Sequence, residues 1–104
     1  MKLNLIETKE ILDFEKEIGF ELEVNEREDG MSDTLSPRRF YAFFKEGEVK
    51  EGAFLISVTG NGDTIDEALQ DYAKQISGKT MIFMANTDAR KEITCPKLRH
   101  NKHI

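Results

Sequence analysis

Apolar positions along this chain change period several times, and each change marks an element. Ile11, Phe14 and Ile18, with Leu12 beside them, keep helical spacing. They predict a first helix from a Thr8 cap to about Ile18, with Gly19 as its stop. Phe20, Leu22 and Val24 then alternate with Glu21, Glu23 and Asn25, the pattern of a half-buried strand with its acidic face in water. Residues 26–38 hold Gly30, Ser32, Asp33, Ser36 and Pro37 among charges and read as a loop. Residues 40–44, Phe-Tyr-Ala-Phe-Phe, are a strand by aromatic content. A turn from Glu46 to Gly52 then leads to a second strand over 53–58, in a hairpin with the first, and Asn61-Gly62-Asp63 ends it.

The strongest local signal follows. Thr64-Ile65-Asp66-Glu67 is a capping box, in which Thr64 accepts from the Glu67 amide and Glu67 reaches back to Thr64. Ile65, Ala68, Leu69, Tyr72, Ala73 and Ile76 continue as one apolar side of a helix, and Gly78 supplies a left-handed stop. A strand over 80–84 and another over 91–95 pair across the loop at 86–90. The expected fold is α+β: an antiparallel sheet of about five strands with two principal helices. Residues 1–95 form a single domain, and 96–104 a basic, mobile tail.

Charge sharpens this picture. Twenty acids against 15 bases give a net charge of −5, which argues against a non-specific grip on DNA phosphates. The imbalance is local. Residues 7–33 hold 11 acids and 3 bases, whereas residues 79–104 hold 6 bases and 2 acids. Such runs are ordinarily solvated faces, and the sharper alternative is an acidic surface made to meet a basic partner. Length allows one buried core but not a cofactor domain plus a substrate domain. The single cysteine, Cys95, excludes an intramolecular disulfide framework and fits a reducing cytoplasm. Met1 to Ile6 has no apolar run long enough for a signal peptide, and nothing approaches a membrane span.

Candidate chemistry is thin, and neither catalysis nor a cofactor is expected. His100 and His103 are three apart and could join Cys95 on a metal, but two solvated imidazoles on a frayed tail are the favoured reading. Cys95 reads as a small filler. Gly60-Asn61-Gly62 precedes a helix, yet Asp63 and Asp66 put negative charge where a phosphate would sit, so turn chemistry is preferred. No pair of carboxylates is flanked by apolar residues in the way a general acid requires. The aromatic strand is more informative. Phe40, Ala42 and Phe44 face one way, Tyr41 and Phe43 the other. Either the strand is sandwiched, with the two helices on opposite sides, or Tyr41 and Phe43 stay partly open as an anchor for a partner. Arg38 and Arg39 beside them keep base stacking in view, against the surrounding acidity.

Two resemblances extend the reading. Over residues 40–76 the order strand, turn, strand and Gly62-Asp63-Thr64-Ile65-Asp66-Glu67-Ala68-Leu69 resembles the hairpin–helix element of HicB-type antitoxins. Over nearly its whole length, through Thr64 to Ile76, Ser77-Gly78-Lys79-Thr80-Met81-Ile82-Phe83, Lys91-Glu92-Ile93 and Pro96, the chain is similar to small early proteins of staphylococcal and related bacteriophages. That second resemblance implies a non-enzymatic inhibitor of bacterial DNA replication. It would bind the AAA+ ATPase domain of the host helicase loader in the host cytoplasm and block the loader's self-assembly, with no membrane or direct nucleic-acid partner. The alternatives are an antitoxin that neutralises a small basic RNase, and an acidic DNA mimic. The anchors expected for a partner are Tyr41 and Phe43, with acidic helpers among Glu10, Asp13 and Glu17.

Overall fold

A computed structural model of the chain describes residues 8–27 and 39–100. In chain order its elements are β1 (Thr8–Glu10), α1 (Ile11–Ile18), β2 (Leu22–Glu26), β3 (Phe40–Phe44), β4 (Gly47–Glu51) and β5 (Phe54–Ile56). After these come β6 (Gly60–Gly62), α2 (Ile65–Ile76), β7 (Thr80–Phe83), β8 (Lys91–Thr94) and β9 (Lys97–Arg99). The fold is α+β, as the periodicities predict. Its strands, however, form three small sheets rather than one sheet of about five: β2-β3-β6, β5-β4-β7-β8, and the parallel pair β1-β9. Most of the loop expected at 26–38 lies outside the described residues.

α2 forms where its cap and apolar stripe place it. Thr64 Oγ1 accepts from the Glu67 N–H at 3.1 Å, while the Glu67 carboxylate accepts from the N–H of Asp63 at 2.9 Å, one residue earlier than expected. Ala68, Leu69, Tyr72, Ala73 and Ile76 are buried, but Ile65 is 51% exposed and falls off the stripe. Gly78 takes the left-handed conformation at φ +73°, and Gly19 does the same at φ +78° after α1.

Three expectations fail, each for a physical reason. The segment read as a turn from Glu46 to Gly52 contains β4, whose alternation carries one buried apolar side chain, Val49, too thin a signal to read. The hairpin is therefore β4–β5, turning at Gly52 (φ +60°), while β3 pairs with β2 and β6. α1 is not capped by Thr8. Residues 8–10 pair in parallel with 97–99, and the N-cap position falls to Glu10, without a side-chain capping bond. The stretch expected to be a mobile tail from residue 96 is accordingly built into the fold as far as His100, with Leu98 buried.

The core closes around the Phe44 ring. Phe14 of α1 meets it edge-on at 6.1 Å, Tyr72 of α2 lies at 5.9 Å, and Phe83 of β7 at 5.7 Å. Phe20 stacks on Phe83 at 4.2 Å. Both helices therefore reach β3 from its Phe44 side, which corrects the expectation that they cover opposite faces. No helix among the described residues is long and apolar enough to cross a membrane.

Candidate functional site

β3 divides its side chains between two environments. Ala42 and Phe44 are buried toward the helices, whereas Tyr41 and Phe43 project from the other face and stay half-buried. Their rings lie parallel within 10°, with centroids 5.9 Å apart. Arg27, just beyond β2, sets its guanidinium 4.9 Å from the centre of the Tyr41 ring and donates to Asn61 Oδ1 at 2.5 Å. Glu23 stands opposite Phe43 in the register, and Asn25 and Asn61 flank Tyr41. Both helices meet β3 through Phe44, and Phe43 also packs against the edge of the core. The arrangement is a small aromatic surface with a cationic edge, suited to contact.

The acids expected to accompany this surface are elsewhere. Glu10 turns its carboxylate to His100, 2.7 Å from Nδ1. Asp13 and Glu17 are exposed on α1, which meets β3 through Phe14 on the opposite side, and Glu17 pairs with Lys9. Besides Glu23 across the ladder, Glu46 and Glu48 share the Phe43 neighbourhood and line a cleft of about 400 Å³ with it. Both stand in the segment whose sequence predicts a turn. Extending the alternation of β3 through Gly47-Glu48-Val49 was the signal that could have found them. Phe54, 73% exposed, and Ile56 also project from the edge strand β5. Their stretch reads as the second strand of a hairpin, and its run of apolar residues does not tell which of them face out.

His100 is not a solvated tail residue. It is buried, with Nδ1 2.7 Å from Glu10 Oε1 and Nε2 2.9 Å from Asp66 Oδ1. Burial lowers its pKa, but the hydrogen bonds and charges of Asp66 and Glu10 outweigh that and leave it raised. Both ring nitrogens are engaged, so neither is presented to a metal. Among the described residues no group of three or more His, Cys, Asp or Glu side chains is arranged to hold an ion. His103 lies outside the described residues. Cys95 is a buried filler whose thiol pKa is pushed up to about 12 by desolvation.

The glycines before α2 do not cradle an anion. A Cβ on Gly60 would stand 2.3 Å from the Tyr72 nitrogen, and one on Gly62 would stand 2.4 Å from the Ala68 nitrogen. Only glycine lets the helix lie this close to β6. At its N-terminus, the Thr64 hydroxyl and the Glu67 carboxylate already accept backbone N–H groups. No protein-family model, no curated protein and no solved structure matches this chain.

Proposed function

We propose that this chain acts without turnover, as a stoichiometric inhibitor that occupies the AAA+ ATPase domain of a bacterial helicase loader and blocks its self-assembly. The observation that carries the binding role is the stacked Tyr41–Phe43 pair, half-buried on the face of β3 opposite Phe44. Partly exposed, pre-positioned aromatic rings are the side chains most enriched among interface hot spots. The partner's identity rests on the similarity to staphylococcal phage early proteins, and the inhibitor then works in the bacterial cytoplasm without a cofactor. A small protein seated at an open subunit interface stops a head-to-tail contact from propagating.

Light scattering on mixtures with the loader's ATPase domain tests this directly. Loader oligomers should disperse at one equivalent, and their persistence at excess inhibitor rejects the proposal. Alanine at Tyr41 or Phe43 should weaken binding by about 2 kcal/mol or more. Alanine at Phe54 on the edge of β5 should leave binding unchanged, and the reverse ranking would move the interface to that edge. A second reading, an antitoxin of HicB type, draws support from one feature: β3 and β6 run antiparallel and α2 lies directly on β6. The insertion of β4–β5 between them departs from a simple hairpin followed by a helix. That reading requires tight pairing with a small basic RNase and no loader binding. A pull-down from bacterial lysate separates the two, and capture of DNA-binding enzymes instead would indicate DNA mimicry.

A further inference from the structure

We propose that the cleft beside Phe43 is a seat for an arginine side chain of the protein partner. The proposal rests on the reading that this face binds a protein, but not on which protein it is. The cleft exists because two ladders stop short of each other. Pairing of β3 with β6 ends at Ala42–Gly60, and pairing of β4 with β5 ends at Val49–Ile56. Between those points residues 43–48 and 57–59 part company, as the chain crosses from one sheet to the other. The gap they leave has a volume of about 400 Å³, and residues 84–87 form its far wall. That is near the small end of ligand-site volumes and ample for one side chain.

Its chemistry selects a cation on an apolar stem. Phe43, Phe44, Val58 and Met84 give apolar surface, and the only charged side chains in the lining are Glu46 and Glu48. Neither makes an ion pair with any described residue, whereas Glu17, Glu21, Glu26, Glu51 and Glu92 each have a lysine or arginine partner. Lys45, the nearest base in sequence, is turned to Glu21 at 3.7 Å. An anion would be repelled here, and a purely apolar group would leave two carboxylates unmatched.

Arginine fits better than lysine. Its flat guanidinium can lie on an aromatic ring while its N–H fork meets a carboxylate. The protein already uses this combination internally: Arg39 sits 5.3 Å over the Phe40 ring and bonds Glu26. The backbone around the cleft is locally unusual. The only non-glycine residues with positive φ among those described are Glu46 (φ 62°) and Met84 (φ 56°). Both line this cleft, and the Met84 N–H donates to the Glu46 carbonyl at 3.0 Å. These two left-handed residues fix the path of the chain where it leaves one sheet for the other.

The test titrates the isolated protein with the peptide Ac-Gly-Arg-Gly-NH2 and follows its amide resonances. The control peptide carries citrulline, which has the same shape without the charge. Saturable shifts should be confined to residues 43–48, 57–59 and 84–87. Both the citrulline peptide and the Glu46→Gln/Glu48→Gln double variant should show binding at least about tenfold weaker, the loss expected when a hydrogen bond between two charged groups becomes neutral. Glu48→Gln alone, which leaves the left-handed turn residue in place, serves if the double variant misfolds. Equal binding of the two peptides, undiminished binding by the variants, or shifts spread over α1 around Asp13 and Glu17 would each overturn the proposal. The loader is absent from this titration, so its failure leaves the light-scattering result intact, and the reverse holds too.

Discussion

Cys95 and Tyr72 both lie in the core, and both hold their protons far above neutral pH. Burial alone lifts the Cys95 thiol to about 12, so it carries almost no thiolate at pH 8 and reacts poorly with electrophiles. In the native protein a thiol reagent should therefore label Cys95 only as fast as the protein opens, and labelling in guanidinium should be complete within minutes. Rapid labelling of the native form would show that the residue is not the filler described. Tyr72 is raised to about 12 chiefly by burial, partly offset by the Phe44 N–H, which donates to its hydroxyl at 3.0 Å. Tyr72→Phe keeps the ring and leaves that N–H buried without a partner. It should cost about 1–3 kcal/mol in urea unfolding. The sequence placed Tyr72 on the apolar stripe of its helix, but it could not show a hydroxyl partner 28 positions away.

Elements here depend on how closely they approach one another, and the α2–β6 contact is the extreme case. Gly60→Ala would drive a methyl group into helix backbone at 2.3–2.4 Å, where neither side can yield as a side-chain tip would. Overpacking of ordinary sites costs about 1–3 kcal/mol, and this substitution should reach or exceed the upper figure. A denaturation midpoint within error of the parent protein would mean that α2 does not rest on β6. Emptying the apolar stripe of the same helix with Leu69→Ala should cost about 2–5 kcal/mol, and losing the cap with Thr64→Ala about 1 kcal/mol. Helix α2 was readable because its cap, stripe and stop lie within one short segment. β3 was readable because aromatic residues crowd five positions. β1, β4 and β9 were not, since strands of three to five residues owe their existence to partners far along the chain. The candidate site was half legible for the same reason. Tyr41 and Phe43 stand out locally, but Glu46 and Glu48 become their neighbours only when the chain leaves one sheet for another.

At the scale of the whole molecule, His100 fastens three distant segments. Glu10 stands where β1 meets α1, Asp66 lies in the first turn of α2, and the His100 carbonyl also accepts from Gln70 Nε2 at 3.1 Å. Next to it, Ser77 Oγ accepts from the Leu98 N–H at 2.8 Å, holding β9 against the end of α2. Ionised carboxylates only accept hydrogen bonds, so placing an imidazole between two of them favours its doubly protonated, positively charged form. The folded state thus binds a proton that the unfolded chain releases near pH 6.5. Because the folded pKa is the higher, this contribution is complete below about pH 6.5 and is lost as pH rises through the folded value. The thermal midpoint should accordingly decline as pH rises above about 6.5, where a free histidine loses its proton. His100→Gln should lower stability most at pH 6 and flatten that decline, while His103→Gln should leave the decline in place. Proton NMR of the His100 ring would give its native pKa directly, and a value at or below that of a free histidine would show that Glu10 and Asp66 do not hold it as a cation.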